Sequence, residues 1–308
     1  MPDAAPVRPI LKWAGGKRQL LPRLRDYYPK TFLRYLEPFL GSGAVFLDLH
    51  NAGALDGREV HLSDINADVM GCYRAVRDHV DGVIEELERL AAQYKKDPDR
   101  AYYAVRDGRF NPARRRVQTA EDPASGYSPA LAAMLIFLNR TGFNGLFRVN
   151  ASGDFNVPAG RQTNPRICDA ANLHAWSDLL RRGSVSLHAC PYEVALDAAR
   201  EGDFIYLDPP YAPLSMTSRF TSYTAGGFGP DAQSALQRLV IEIAARGAQV
   251  LLSNSFAPEI RQLYARSVSA RGAGLRATTV RARRTINARA SGRGEIREYL
   301  ITNLSRRA

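Results

Sequence analysis

The stretch that most constrains the fold is an apolar run that ends abruptly in an acidic, proline-rich tetrad. Residues 204–207 (Phe-Ile-Tyr-Leu) have the length and composition of a short buried strand. In the following Asp208-Pro209-Pro210-Tyr211, each proline fixes its own φ and drives the preceding residue toward extended geometry. Asp208 is therefore expected at the carboxyl end of a strand, where open α/β sheets bind ligands. A plain surface turn is the alternative, because Asp-Pro and Pro-Pro also punctuate turns.

The tetrad carries groups that together suit an amino group on a planar heterocycle. The Asp208 carboxylate can accept one hydrogen of such an amine, and the backbone carbonyl of Pro209 can accept the other. Tyr211 supplies a flat face on which a base can stack. The tetrad therefore predicts a site that orients an aromatic amine.

Two further segments indicate a nucleoside that bears no phosphates. The chain reads as a strand from Arg34, a turn at Gly41 and Gly43, and a helix over 44–51, which is how nucleotide-binding α/β folds begin. The third glycine of the dinucleotide fingerprint is missing, and Glu37 before the turn favours a cationic amine over a pyrophosphate.

An acid closes the second predicted strand, 60–63, about 20 residues beyond the glycine turn. Asp64 is placed there to accept ribose hydroxyls, while the run Asp64-Ile65-Asn66 also suits a helix N-cap. Residues 12–17 (Lys-Trp-Ala-Gly-Gly-Lys) let backbone N–H groups approach a ligand, but they lack the full P-loop pattern, which excludes an NTPase. S-adenosylmethionine, an adenosine carrying an amino acid, fits this set.

The composition changes between residues 67 and 170, where the pattern is mostly helical. The basic stretch 109–127, with prolines and the run 114–116 of three arginines, is interpreted as a mobile loop. A hairpin with a turn at 152–154 is predicted over 139–158.

Helices are predicted in this segment at 67–96, 102–107 and 129–138, and elsewhere at 19–28, 173–180, 231–246 and 258–264. Strands are predicted at 185–189 and 249–253, with an antiparallel pair at 280–284 and 298–303 and polar loops at 212–229 and 290–294.

The predicted hairpin is rich in asparagine, arginine and aromatic residues, a mix suited to reading base edges and filling a gap in a base stack. Lys and Arg total 42 against 31 Asp and Glu, a formal net charge of +11, which favours nucleic acid as the partner. An ordinary structural hairpin and an unspecialised basic surface are the alternatives.

Three separated cysteines indicate neither a disulfide framework nor a metal site. Without a signal segment or a run of 18 apolar residues, we expect a soluble cytoplasmic protein that needs no membrane.

In these motifs the chain resembles the Dam family of DNA adenine N6-methyltransferases (D12 class, alpha group). The resemblance covers nearly the whole chain in the family's motif order. It implies a Rossmann-like α/β methyltransferase sheet with a mostly helical target-recognition insert that carries a β-hairpin. The implied catalytic domain is 1–68 with 171–308, and the implied target-recognition domain is 69–170. The motifs that carry the resemblance are 12–17, 37–43, 64–66, 139–158 and 208–215.

The resemblance also implies roles for individual residues. Asp208, Pro209, Pro210 and Tyr211 would be catalytic. The residues implied at S-adenosylmethionine are Trp13, Ala14, Gly15, Lys17, Glu37, Pro38, Phe39, Gly41, Ser42, Asp64 and Asp208. Those implied at DNA are Lys12, Arg140, Phe143, Asn144, Leu146, Arg148, Asn150 and Pro158, with Phe143 and Asn144 acting in intercalation and base extrusion.

The hairpin resembles members that methylate GATC in double-stranded DNA, which makes GATC the expected target. A cytosine-N4 or RNA methyltransferase would use the same amine chemistry, although the former more often resembles Ser-Pro-Pro-Tyr. A protein glutamine methyltransferase would resemble Asn-Pro-Pro-Tyr, and a silent DNA-binding module would not need a cofactor pocket. The sequence leaves open whether a separate restriction endonuclease accompanies the enzyme and whether a phage encodes it.

Overall fold

The computed structural model describes residues 5–13, 15, 17–212, 228–283 and 295–307. The expectations for Ala14, for residues 213–227 of the polar loop and for the 290–294 loop lie outside these residues. Seven strands form one mixed sheet in the order β3-β2-β1-β4-β5-β7-β6. The strands are β1 (Arg34–Glu37), β2 (Glu59–Asp64), β3 (Val185–Ala189), β4 (Phe204–Leu207), β5 (Gln249–Ser255), β6 (Arg276–Arg283) and β7 (Glu295–Thr302). This confirms the predicted Rossmann-like methyltransferase fold.

The predicted strand 204–207 is the central strand β4. It pairs in parallel with β1 on one side and β5 on the other, so that Leu207 lies opposite Leu252. All four of its side chains are buried, as expected of a parallel strand covered on both faces. Its carboxyl end delivers Asp208 beside Ser253, the next residue of β5. The antiparallel strand β7 pairs with β5 and β6, which confirms the predicted pair at the end of the chain.

The α-helices of the described residues are α1 (Leu21–Leu24), α2 (Ala44–Asn51), α3 (Ala67–Asp78), α4 (Val80–Lys96), α5 (Pro98–Val105), α6 (Asn111–Val117), α7 (Pro129–Thr141), α8 (Ala170–Leu180), α9 (Tyr192–Leu196), α10 (Pro230–Ala245), α11 (Pro258–Ile260) and α12 (Val268–Gly272). Among them, no helix has the length and apolar character needed to cross a membrane. The helix predicted over 67–96 is wrong in one respect: it is interrupted at His79, whose backbone leaves the helical conformation (φ −139°, ψ 42°). The helices predicted at 19–28 and 258–264 are chains of short α, 3₁₀ and π segments.

The mobile loop predicted over 109–127 is also wrong. A π-helical turn (Arg106–Phe110) leads into α6, and a 3₁₀ turn follows at Pro123–Gly126. The segment is ordered because its charges find partners within the chain: Arg114 pairs with Asp68, and Asp122 caps Ala124 N–H and pairs with Arg74.

The predicted hairpin at 139–158 follows the expected path, but its arms form isolated bridges (Val149 with Phe155, Gly142 with Ala159) instead of two strands. Side chains from the preceding helices form hydrogen bonds with backbone groups of the second arm. The Asn111 amide binds both N–H and C=O of Phe155, and the Tyr102 hydroxyl donates to the Val157 carbonyl. These groups are therefore not left for a ladder with the first arm.

The chain forms two compact units. The first comprises Met1–Gly16, Gly41–Ala54 and Ser63–Cys190, and the second comprises Lys17–Leu40, Leu55–Leu62 and Pro191–Ala308. The functional division into 1–68 with 171–308 and 69–170 stays a prediction.

Candidate active site

In the second unit, the Asp208 carboxylate at the end of β4 is held by two side chains. The Lys17 ammonium lies 2.7 Å from Oδ1, and the Ser253 hydroxyl donates to the same oxygen at 3.0 Å. The Tyr206 hydroxyl lies 3.1 Å from the Ser253 hydroxyl and extends this chain of polar groups into the core. Lys17 itself is only 6 % exposed, so its charge acts on the carboxylate with little solvent screening.

Two opposing effects set the protonation of Asp208. Burial raises the pKa of its carboxyl group, while the Lys17 charge and the hydrogen bonds from Lys17 and Ser253 lower it. The net result is a pKa above the ordinary value for aspartate. Lys17 and Ser253 therefore keep the carboxylate available as a hydrogen-bond acceptor.

Tyr211, the last residue of the tetrad, is fixed at its hydroxyl and covered on its ring. The hydroxyl donates to Glu298 Oε2 at 2.7 Å, and the Lys17 Nζ lies 4.6 Å from the ring centroid. Glu298 belongs to β7 and is buried. Sequence reasoning missed Glu298, because it is far from the tetrad along the chain and its strand carries no recognisable motif.

The backbone of the tetrad is braced by three buried polar side chains that sequence reasoning also missed. The Gln233 amide donates to the Pro210 carbonyl at 2.9 Å and accepts from Asn254 Nδ2 at 3.0 Å. Asn254 Oδ1 accepts from Ala212 N–H at 3.4 Å, and the Ser255 hydroxyl donates to the Ala212 carbonyl at 2.7 Å. The signal available in the sequence was a run of three polar residues, 253–255, at the end of an apolar strand. We refer to Gln233, Asn254 and Ser255 as the tetrad brace.

The remaining predicted cofactor residues of this unit lie at the end of β1 and just after it. Glu37 is buried, and its carboxylate accepts the Tyr35 hydroxyl at 2.8 Å. Pro38 is buried, and the half-buried Phe39 stacks on Tyr192 with ring centroids 5.2 Å apart.

In the first unit, Asp64 organises the glycine turn. Its two carboxylate oxygens accept the N–H groups of Gly41 and Asn66, each at 2.9 Å. Burial raises the pKa of Asp64, and these two N–H groups oppose that shift. The N-cap of α3 is Asn66, whose side chain accepts from Asp68 N–H at 3.0 Å. Asn66 is thus the residue of this run that acts as the N-cap. Asp64 is the last residue of β2 and does not cap the helix.

Gly41 is required by its surroundings. Its φ is +48°, and a Cβ there would lie 2.7 Å from Trp13 Cδ1. The Tyr73 hydroxyl donates to the Gly41 carbonyl at 2.7 Å, and Trp13 stacks on Phe147 with centroids 5.7 Å apart. Of the other predicted residues, Ser42 is buried and Gly15 is exposed.

The predicted DNA-reading residues also lie in the first unit. Phe143 is 44 % exposed beside Asn144, whose backbone is left-handed (φ +54°). Arg148 is exposed but donates to Asn156 Oδ1 at 2.7 Å, and Arg140 donates to the carbonyls of Ile10 and Pro9. Lys12, Asn150 and Pro158 are exposed, and Leu146 is half-buried.

Asn139 ties Lys12 to the start of the hairpin. Its amide accepts from Lys12 N–H at 2.7 Å and donates to the carbonyls of Lys12 and Gly145 at 2.8 and 3.0 Å. The described residues contain no group of three or more His, Cys, Asp or Glu arranged to hold a metal ion.

Comparison with known proteins gives a consistent result. A family model described as D12 class N6 adenine-specific DNA methyltransferase matches residues 13–284. The chain is 35% identical over 302 residues to the type II methyltransferase M1.LlaDCHI of Lactococcus lactis subsp. cremoris, covering 96% of this chain and 95% of that protein. It is 38% identical over 308 residues to the type II methyltransferase M.MjaIII of Methanocaldococcus jannaschii, covering 96% and 99%. It is 34% identical over 294 residues to the DNA adenine methylase of Vibrio cholerae serotype O1, covering 95% of each.

Proposed function

Because the chain belongs to the D12 class of N6 adenine-specific DNA methyltransferases, we propose that it transfers a methyl group from S-adenosylmethionine to N6 of adenine within GATC of double-stranded DNA. The observation that carries this proposal is the Asp208 carboxylate at the end of β4, held by Lys17 and Ser253 and followed by a braced backbone turn.

The residues present fit S-adenosylmethionine, which supplies the methyl group when bound. Gly41 admits no side chain because the Trp13 ring packs against it, which keeps Trp13 beside the glycine turn. Each Asp64 oxygen accepts one backbone N–H and keeps acceptor capacity, which suits ribose hydroxyls. We propose that the Glu37 carboxylate binds the amino group of the methionine part of the cofactor. The further cofactor residues that we propose are Ala14, Gly15, Lys17, Pro38, Phe39, Ser42 and Asp208.

The chain's own groups would activate the amine. The N6 lone pair of adenine is delocalised into the ring, so the amine is a weak nucleophile in its planar form. Asp208 accepting one N6 hydrogen and the Pro209 carbonyl accepting the other would favour a pyramidal nitrogen in the transition state. Tyr211 would stack on the base, and Pro210 would keep the turn rigid.

The target base must leave the helix to reach these groups, because a stacked adenine is inaccessible. We propose that the exposed Phe143 enters the base stack and that Asn144, held in a left-handed conformation, assists extrusion. Lys12, Leu146, Arg148 and Pro158 would read the target, with Arg140 and Asn150 supporting them. The target GATC rests on the resemblance of the hairpin.

Two of the relatives are type II methyltransferases, so a second role is modification beside a separate restriction endonuclease. If the chain has that role, its methylation will block cleavage by an endonuclease of the same target, which can be tested on DNA methylated in vitro.

The reaction and target can be tested together. Incubation with methyl-labelled S-adenosylmethionine and a GATC duplex, followed by digestion to nucleosides, is expected to yield N6-methyladenine. A matched duplex in which the GATC adenines of both strands are replaced should take up no label. N6-methyladenine in the second duplex would reject GATC, and N4-methylcytosine, or label only in RNA, would reject the proposed reaction.

Replacing Lys17 by methionine is expected to move the acid limb of kcat/KM for the duplex to higher pH. The Lys17 charge lowers an Asp208 pKa that burial has raised, so its removal raises that pKa further and protonates the carboxylate at higher pH. The measurement is a pH profile at saturating cofactor. Ser253→Ala should also move the acid limb of the profile to higher pH, but by less than Lys17→Met does. A limb that stays in place in Lys17→Met would show that Asp208 does not govern it.

A further inference from the structure

The arginine run at 114–116 has a role that its sequence did not suggest. The Arg114 guanidinium, 11 % exposed, forms a forked pair with Asp68 through Nε at 2.8 Å and Nη2 at 2.7 Å. Asp68 lies in the first turn of α3, two residues after Asn66, and also accepts the Tyr127 hydroxyl. One end of Arg114 is therefore fixed to α3, the helix that begins three residues after Asp64.

The third guanidinium nitrogen of Arg114 reaches the hairpin. Its Nη1 donates to the Gly153 carbonyl, within the turn that the Asn150 carbonyl and Gly153 N–H close at 2.9 Å. The guanidinium carbon also lies 6.0 Å from the centre of the Phe147 ring, which stacks on Trp13. A single, mostly buried side chain thus touches the hairpin turn and the helix that follows the proposed ribose-binding acid.

Stability alone does not account for this arrangement. A buried ion pair is often no more stabilising than apolar residues of the same volume, because both charges must leave water. An arginine that forks to one carboxylate and one carbonyl instead fixes the relative position of two segments. Arg115, beside it, is more exposed and forms a separate pair with Asp154.

We propose that Arg114, anchored by Asp68, is a positioning residue that couples cofactor binding to target reading by the hairpin. The inference rests on the proposed function. Ordering of the segment around Asp64 by the cofactor would stabilise the hairpin turn through Arg114, and DNA on the hairpin would strengthen cofactor binding by the same factor.

The test measures duplex affinity with and without S-adenosylhomocysteine, which cannot donate a methyl group. The native protein is expected to bind a GATC duplex at least about fivefold more tightly with S-adenosylhomocysteine present. Arg114→Lys, which keeps the charge but cannot fork, is expected to bring this ratio close to one and to lower the kcat/KM preference for GATC over duplexes with one base changed. Arg116→Lys, at an exposed neighbour, is the matched control and should keep both.

A second variant separates coupling from folding. Asp68→Leu with Arg114→Met replaces the pair by apolar side chains of similar size, and Tyr127→Phe in the same variant removes the buried hydroxyl that would lose its acceptor. It should melt close to the native protein and still lose the coupling. A native ratio of one, or an unchanged ratio in either variant, would overturn the inference. Absence of any DNA methylation by the native protein would instead reject the proposed function.

Discussion

Asp208→Ala is expected to lower kcat for methyl transfer about 10²- to 10³-fold or more, the loss typical when a preorganised group at the reacting centre is removed. The variant loses the acceptor for one N6 hydrogen, while the groups proposed to read DNA stay intact. Duplex affinity should therefore be nearly unchanged. Single-turnover kinetics and equilibrium binding measure the two quantities.

The control for this substitution concerns Lys17. Its ammonium is buried and loses its carboxylate partner in Asp208→Ala, which is expected to cost about 3 kcal/mol of folding free energy, the low end for a broken buried pair because Asp208 is partly exposed. Lys17→Met combined with Asp208→Ala removes both charges and should recover stability without recovering activity. A single variant that keeps kcat within tenfold of native would exclude the carboxylate from the mechanism.

Asn254→Ala is the second substitution with a large expected effect. The side chain is fully buried, and its loss leaves Gln233 Oε1 and Ala212 N–H without that partner, at about 1–3 kcal/mol for each group. We expect the tetrad to shift when these contacts are lost, so that kcat falls about 10- to 100-fold, since 1.4 kcal/mol corresponds to a factor of ten. Extrusion, followed by fluorescence of 2-aminopurine at the target position, should be unchanged.

Asn303 offers a matched control at the other end of β5. Its amide accepts from Val250 N–H at 2.8 Å and donates to the Ala248 carbonyl at 2.7 Å, far along the strand from the tetrad. Asn303→Ala should lower the melting temperature and leave kcat unchanged. Equal retention of kcat in both asparagine variants would show that the tetrad brace only stabilises the fold.

The fold was predictable where local pattern decides it. Each of three features is recognisable from a few consecutive residues: the apolar run 204–207, the glycine turn and the acid at the end of β2. Together they predict the parallel part of the sheet. The hairpin path was likewise visible from its turn. Its strands were not, because Asn111 and Tyr102 compete for the backbone groups that a ladder would use.

The contacts that position the site could not be predicted, since they join residues far apart along the chain. Lys17 was expected at the cofactor, and the structure pairs it with Asp208. Arg114 looked like part of a solvated loop because its partner Asp68 stands 46 residues away. A prediction based only on neighbouring residues therefore places such an arginine in solvent.

The internal engagement of Arg114 has a consequence for how the protein meets a polyelectrolyte. Each phosphate neutralised on duplex DNA releases counterions and adds about 0.9 to the gradient of log affinity against log salt. A guanidinium already committed to Asp68 and the Gly153 carbonyl cannot contribute to that release. The gradient should thus be the same for the native protein and for Arg114→Lys, even where their affinities differ. The counterions released from the DNA on binding must therefore be displaced by other basic residues.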